Sequence, residues 1–246
     1  MKSRFSFSGN QLKLLAALFM IVDHVGLLFF PSALVLRAIG RLSFPIFAFF
    51  IAEGCKYTKN KVRYFITMAL CGAVSQAVYY IFAESLKMCV FVTFTVSIAL
   101  IYAIYGVKNA IFSKAPTRVK LLLSILVAVA VFGTVVFVVS FFDIDLDYGV
   151  SGAMVPVIIS LAHKPKNAPE YWDKIDTPPV VFALFALGTA ILCIGMPGIQ
   201  LFSLLSLVPI SLYSGNRGKA KLKYFFYLFY PLHLVILWGI FYLTSK

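Results

Sequence analysis

Leu12-Lys13-Leu-Leu-Ala-Ala-Leu-Phe-Met-Ile-Val-Asp23-His24-Val-Gly-Leu-Leu-Phe-Phe30 is the stretch that decides the fold. Apart from Lys13, Asp23 and His24, every residue in it is apolar or glycine. A helix that is apolar on all sides belongs in a protein core or in lipid. At about 1.5 Å per residue the run approaches the roughly 20 residues that a hydrocarbon layer requires. It is longer than the apolar region of a secretory signal and is followed by no small-residue cleavage site, so it reads as a retained first helix.

The rest of the chain repeats the pattern. Of 246 residues, 61% are hydrophobic and 13% charged, and the mean hydropathy is +0.94. Soluble domains are about 45–50% apolar and about 25% charged, and no globular packing of this length hides so much apolar surface. The expected class is all-α, a polytopic integral membrane protein of about nine spans: 12–30, 38–55, 63–83, 87–106, 119–140, 148–162, 178–195, 197–213 and 224–243. The sixth is short and holds Pro156, which predicts a tilted, broken or re-entrant segment. The eighth is also short.

The net charge of +13 sits in clusters between apolar runs, so it reads as topology rather than as a nucleic-acid surface. With the N-terminus cytoplasmic, all Lys and Arg except Arg37, Arg41, Lys87 and Lys246 fall on the inner side. Lys2 and Arg4 belong to that inner set, and Asp143, Asp145 and Asp147 to an outer loop. The four cysteines, Cys55, Cys71, Cys89 and Cys193, show no Cys-x-x-Cys spacing. With three histidines in the chain no metal pattern forms.

Ionisable groups at membrane depth are rare, and each is a functional candidate. These are Asp23 and His24 in the first helix, Arg41 and Glu53 in the second, and His233 in the last. A neutral imidazole at His24 takes a proton from a nucleophile and returns it to a leaving group near neutral pH; the competing reading is a structural interhelical hydrogen bond. Asp23 points about 100° away from it around the helix, so its expected part is to raise the imidazole pKa through space or to hold a partner helix. Lys13 lies eleven residues earlier, about three turns, on the same face and roughly 16 Å away. A cation at the inner mouth and a base three turns deeper suit an anionic donor with a long arm, the shape of coenzyme A. Lys13 is equally read as an ordinary positive-inside lysine.

Three further sets carry alternatives. Glu53 is either a second base or an ion-pair partner of Lys56 or Lys13. Lys56, Lys59, Lys61 and Arg63 are either a topology signal or a phosphate clamp. His233, two residues after Pro231, is either part of the site or a packed, hydrogen-bonded histidine.

Five stretches in order along the chain resemble the TraX family of inner-membrane proteins, named for the acetylase of conjugative pilin. They are Leu12-Lys13 through Asp23-His24-Val-Gly; Ile39-Gly-Arg-Leu-Ser-Phe-Pro-Ile-Phe-Ala-Phe; Ala52-Glu-Gly; Asp147-Tyr-Gly; and Gly215-Asn-Arg-Gly followed by Tyr227 to Leu234. That family in turn looks related to acyltransferase family 3 and to the heparan-glucosaminide acetyltransferase type. The former carries an arginine, ten residues and a histidine in helix 1; here Lys13 to His24 keeps the spacing with lysine in place of arginine. Its Phe-Phe-x-x-Ser-Gly region resembles Phe49-Phe-Ile-Ala-Glu53-Gly54, with glutamate at the serine.

The resemblance implies one transmembrane acyltransferase-like domain over 1–246, multi-pass in the cytoplasmic membrane. It implies transfer from cytoplasmic acetyl-CoA to an extracytoplasmic or membrane-embedded acceptor, an amine of a pilin-like peptide or a glycan amine or hydroxyl. His24, with Asp23 and Glu53, would carry the chemistry, as base or as acyl-imidazole. Lys13, Lys56, Lys59, Lys61 and Arg63 would hold coenzyme A, with Arg41 and His233 lining the cavity. No metal is expected, and the partners are lipid, the donor and the acceptor. Two rival classes are a proton-coupled transporter or flippase, and a non-catalytic assembly factor for a surface structure.

Overall fold

The computed structural model describes residues 6–83, 87–114, 117–220 and 222–244, with backbone alone at 82, 83 and 223. Lys2, Arg4, Lys221 and Lys246 of the charge pattern lie outside these residues. The described chain is helical: α1 (Gly9–Phe29), α2 (Leu34–Gly40), α3 (Ser43–Tyr57), α4 (Lys61–Ala83), α5 (Val90–Ile111), α6 (Arg118–Phe141), α7 (Gly149–Ser160), α8 (Trp172–Ile175), α9 (Pro178–Gly195), a 3₁₀ helix (Ile199–Ser206), α10 (Leu207–Ser211) and α11 (Lys223–Thr244). Among them, seven segments are long and apolar enough to cross a membrane, α2 and α3 counting as one, and two shorter apolar helices accompany them. The chain is a polytopic α-helical membrane protein.

The two short segments depart from the expected spans for different reasons. At about 1.5 Å per residue α7 rises about 18 Å, well under a hydrocarbon layer of about 30 Å. It survives because α3, α5 and α9 pack around it and the stretch Gly152–Ser160 is almost wholly buried. The eighth segment winds as a 3₁₀ helix because its polar residues repeat every third position. Gln200, Ser203 and Ser206 are buried while Leu201, Phe202, Leu204 and Leu205 face outward. A helix of three residues per turn puts such a triplet on one face.

The second expected span starts earlier than the sequence reading, at Leu34, and breaks at Arg41–Leu42. Pro45 is the cause. It has no N–H to give the carbonyl of Arg41, four residues back, and the hydroxyl of Ser203 donates to that carbonyl at 3.0 Å instead. The break thus locks the α2–α3 junction to the 3₁₀ helix.

The helix ends sort into two groups. At the end rich in lysine, Phe7 pairs with Tyr213, Lys56 pairs with Asp176, and the Lys108 ammonium donates to the carbonyls of Leu161 and His163 after α7. At the other end Met88 pairs with Leu146 and Asp23 meets Arg37 and Arg41. α6 touches little but α5 and buries none of its residues; its apolar surface is that of a lipid-facing helix.

Candidate functional site

α1 begins on a capping box. The Ser8 hydroxyl accepts from the Gln11 backbone N–H, and the Gln11 side-chain Oε1 accepts from the Ser8 backbone N–H. From that start the helix carries Lys13 and His24 to opposite ends of one cavity of about 540 Å³. Volumes of about 300–1,000 Å³ are usual for small-molecule sites. The lining runs from Gly9, Asn10 and Arg217 at the lysine-rich end to Asp23, His24 and Asp147 at the other. From Gly9 to His24 the helix rises about 22 Å, so the cavity is long for its volume. The cavity is slender and suits an unbranched arm.

His24 has a defined tautomer. Its Nδ1 lies 2.8 Å from the Met20 carbonyl; a carbonyl only accepts, so Nδ1 carries the proton and Nε2 keeps its lone pair. The His233 ring, held by its own Nδ1–H to the Phe229 carbonyl at 3.1 Å, abuts His24 edge to face at 4.9 Å. His233 stands behind His24 and is absent from the cavity lining.

Asp23 does not reach toward His24. Both Arg37 (2.8 Å) and Arg41 bond its Oδ2, and Arg37 also donates to its backbone carbonyl at 3.1 Å. The cluster needs Gly40: a β-carbon there would overlap the Asp23 side chain. Arg41 lies over the Tyr148 ring at 5.6 Å, with its own side chain off the cavity.

Tyr148 adopts φ 63°, and Gly149 φ 61°. A left-handed conformation is uncommon for a bulky residue and costs of order 1 kcal/mol or more. It turns the chain into α7 so that Tyr148 stacks on Phe44, centroids 3.9 Å apart, with Asp147 on the cavity wall. The Asp147 backbone is pinned by its N–H to the Met88 carbonyl at 3.0 Å and by the Thr93 hydroxyl to its carbonyl at 2.8 Å. Burial lifts the Asp147 carboxyl to about 6, against the pull of Lys87 and Arg41.

At the lysine-rich mouth the Lys13 ammonium sits 4.7 Å from the Phe50 ring centroid and 5.9 Å from that of Phe226. Arg217 joins it on the wall. Its loop is stitched to the start of α1 by the N–H groups of Gly9 and Asn10, donating to the carbonyls of Asn216 (2.8 Å) and Arg217 (2.9 Å). Gly218 follows at φ 93° against Ser8. Glu53 also lines the cavity and makes no ion pair among the described residues, with Lys56 or with Lys13.

The basic stretch after Glu53 lies elsewhere. Lys56 is held by Asp176, Lys61 covers the Tyr105 ring at 4.7 Å, Lys59 and Arg63 are exposed, and none of the four lines the cavity. The structure therefore brings Lys13, Asp23, His24 and Glu53 together, sets Arg41 and His233 one layer behind, and leaves the four basic residues outside. Sequence reasoning did not put Arg217, Asp147 and Tyr148 in the site. Their signals were an arginine between glycines in Gly215-Asn-Arg217-Gly218 and an acid before a turn glycine in Asp147-Tyr-Gly149. Among the described residues no cluster of three or more His, Cys, Asp or Glu is placed to hold a metal ion.

Comparison with known proteins covers the same span as this architecture. The chain is 28% identical over 264 aligned positions, 96% of this chain and 97% of the relative, to the probable fimbrial assembly protein FimC, serogroup H1, of Dichelobacter nodosus. A shorter stretch, 23% of either chain, is 42% identical to the uncharacterized protein RP591 of Rickettsia prowazekii (strain Madrid E). No solved structure matches. The family model described as TraX protein matches residues 8–241, from the cap of α1 to the last turns of α11, and the chain belongs to the TraX family.

Proposed function

We propose that this protein is a membrane-embedded acetyltransferase that takes its acetyl group from cytoplasmic acetyl-CoA and passes it to an acceptor arriving from the opposite side. One observation carries the reading: a single slender cavity joins two cations, Lys13 and Arg217, to the free Nε2 of His24. On this reading the chain lies in the cytoplasmic membrane, and the asymmetry of Lys and Arg supports the lysine-rich end and the N-terminus facing the cytoplasm. Lys13 and Arg217 then meet the donor's phosphates as charge-assisted hydrogen-bond donors, and the linear arm extends along α1 toward His24.

At that depth His24 Nε2 takes the proton from the acceptor's N–H or O–H as its lone pair attacks the acetyl carbonyl. The C–S bond breaks, the new C–N or C–O bond stays with the acceptor, and the imidazolium returns the proton to the departing thiolate. Arg37 and Arg41 contribute a positive field beside the developing oxyanion. This is the chemistry that the resemblance of the Lys13-to-His24 spacing to acyltransferase family 3 would imply.

The name of the Dichelobacter nodosus relative directs the acceptor toward a subunit of a surface appendage. It equally favours a second reading, an assembly factor without catalysis. Acetyl-CoA binding and thiol release by the purified protein in detergent, with His24→Ala alongside, separate the two. Turnover lost in the variant supports the transferase. Undiminished transfer by His24→Ala overturns the role of His24, and absence of acetyl-CoA binding favours assembly.

A further inference from the structure

At the lysine-rich rim of the cavity a loop turns its backbone donors outward. The first two residues of α1, Gly9 and Asn10, have N–H groups with no acceptor inside the helix. The carbonyls of Asn216 (2.8 Å) and Arg217 (2.9 Å) accept from them, and the Asn10 side chain donates to the Ala220 carbonyl at 2.6 Å. A trans peptide points its carbonyl and its N–H in opposite directions. With the carbonyls of Asn216 and Arg217 turned to α1, the N–H groups of Arg217 and Gly218 are turned together to the far side of the loop. Neither has a partner among the described residues.

Successive N–H groups on one side of a turn make a concavity for an anion. Gly215 (φ 74°) and Gly218 (φ 93°) bracket it in left-handed conformations, and a β-carbon at Gly218 would meet the Ser8 hydroxyl at 2.9 Å. Arg217 adds a guanidinium, and Asn10, Gly215 and Arg217 all line the cavity. Lys13 stands deeper. Its ammonium lies over the Phe50 ring, which packs on Gly9, whereas the loop lies one hydrogen bond beyond Gly9. Counting outward from His24, Lys13 is the first anion position and the loop is the second.

We propose that the Asn216–Gly218 loop is a subsite for a phosphate monoester, the 3′-phosphate on the nucleotide of the donor. The N–H groups of Arg217 and Gly218 and the Arg217 side chain hold it, and Asn10 positions the loop. This rests on the acetyl-transfer reading above. In coenzyme A six bonds run from the diphosphate to the 3′-phosphate, about 7 Å when extended. A diphosphate on Lys13 therefore brings the 3′-phosphate outward to the loop. A monoester carries close to two negative charges at neutral pH, which suits a cation joined to two N–H donors.

The test compares binding of acetyl-CoA and acetyl-dephospho-CoA, which lacks only the 3′-phosphate, by the full chain in detergent. Wild type should bind acetyl-CoA at least tenfold more tightly. Arg217→Ala, Gly218→Ala and Asn10→Ala should each bring the two donors to within about twofold by weakening acetyl-CoA alone; unchanged binding of the dephospho donor shows that the variant is folded. Lys13→Ala should weaken both donors alike and keep the preference. Phosphatidate, the other phosphate monoester within reach of the rim, should not compete when added to the micelles.

A wild type that binds both donors equally overturns the subsite while leaving the transferase standing. A wild type that binds neither overturns the transferase reading itself. Variants that weaken both donors alike assign the loop to the fold and overturn the subsite, as does a preference erased by Lys13→Ala. Competition by phosphatidate that disappears in Arg217→Ala gives the loop to lipid and overturns its assignment to the donor. If Gly218→Ala fails to fold, Arg217→Ala and Asn10→Ala decide: a preference retained in both overturns the subsite, and its loss in both supports it.

Discussion

The imidazoles of His24 and His233 meet edge to face, ring centroids 4.9 Å apart, and each has given its Nδ1–H to the carbonyl four residues before it in its own helix. Both rings are therefore fixed in orientation, and α11 serves as a wall that keeps the Nε2 of His24 on the cavity. Removing the base and removing the wall should differ. His24→Ala is expected to lower kcat by about 10²–10⁴, the range for loss of a general base, with acetyl-CoA affinity retained. His233→Phe keeps an aromatic edge and should stay within about tenfold of wild type, whereas His233→Ala frees the ring and loses more. Steady-state kinetics with thiol detection reads all three; His233→Phe as inactive as His24→Ala would make His233 a proton carrier in its own right.

The mouth makes a second prediction. Lys13 and Arg217 stand on the wall, and hydrogen bonds to charged groups contribute about 1.5–3 kcal/mol each. Lys13→Ala and Arg217→Ala should each weaken acetyl-CoA binding by about 10–100-fold and flatten its dependence on salt. Lys59→Ala and Arg63→Ala, on exposed positions, should leave it unchanged. Titration calorimetry at two ionic strengths measures this, and a larger loss from Arg63 than from Arg217 would return the clamp to the basic loop after α3.

Much of this was legible in the sequence, and the reason is the solvent. Lipid forces backbone hydrogen bonds inside each segment, so every long apolar run had to be a helix. The face shared by Lys13 and His24 followed from the helical period, because α1 is uninterrupted between them. Asp23 illustrates what the period could not give. Its partners, Arg37 and Arg41, sit on the next helix and meet it only because the chain turns tightly at Pro31 and Gly40 permits close approach. Arg217 reaches the mouth through backbone pairing with α1 across two hundred residues, and Asp147 through a left-handed turn at a tyrosine. Neither leaves a periodic trace.

The Asp23 cluster predicts stability rather than rate. A buried pair broken on one side leaves an uncompensated charge and costs about 3–5 kcal/mol. Asp23→Ala strands two guanidiniums and should be the most damaging single change at this end. Arg41→Ala should cost more than Arg37→Ala, since its side chain is 12% exposed against 21%. Gly40→Ala should act in the same direction by driving α2 away from Asp23. Thermal unfolding in detergent ranks the four, and a Gly40→Ala protein as stable as wild type would show that the helices have room to part.

The last prediction follows from the sign of the Asp147 shift. The residue is surrounded by Lys87, Arg41, Asp23, Asp145, Tyr79, Tyr148 and Tyr230, yet burial dominates and holds its carboxyl near 6 rather than 3.8. The neutral form is thus the one the fold prefers. Below 3.8 the folded and unfolded chains are both protonated there and the residue contributes no pH dependence. Between 3.8 and 6 the unfolded chain ionises first, so stability falls as pH rises; above 6 the penalty is complete. Asp147→Asn removes it. The variant should melt about 2–4 °C higher than wild type at pH 8, for a gain on the order of 1 kcal/mol, and the difference should vanish as pH falls to about 4. A gain in stability joined to a loss of transfer is what a residue kept on the cavity wall for function produces. Should Asp147→Asn melt lower than wild type at pH 8, its carboxylate is stabilising the fold through Arg41 or Lys87, and burial is not the dominant influence on it.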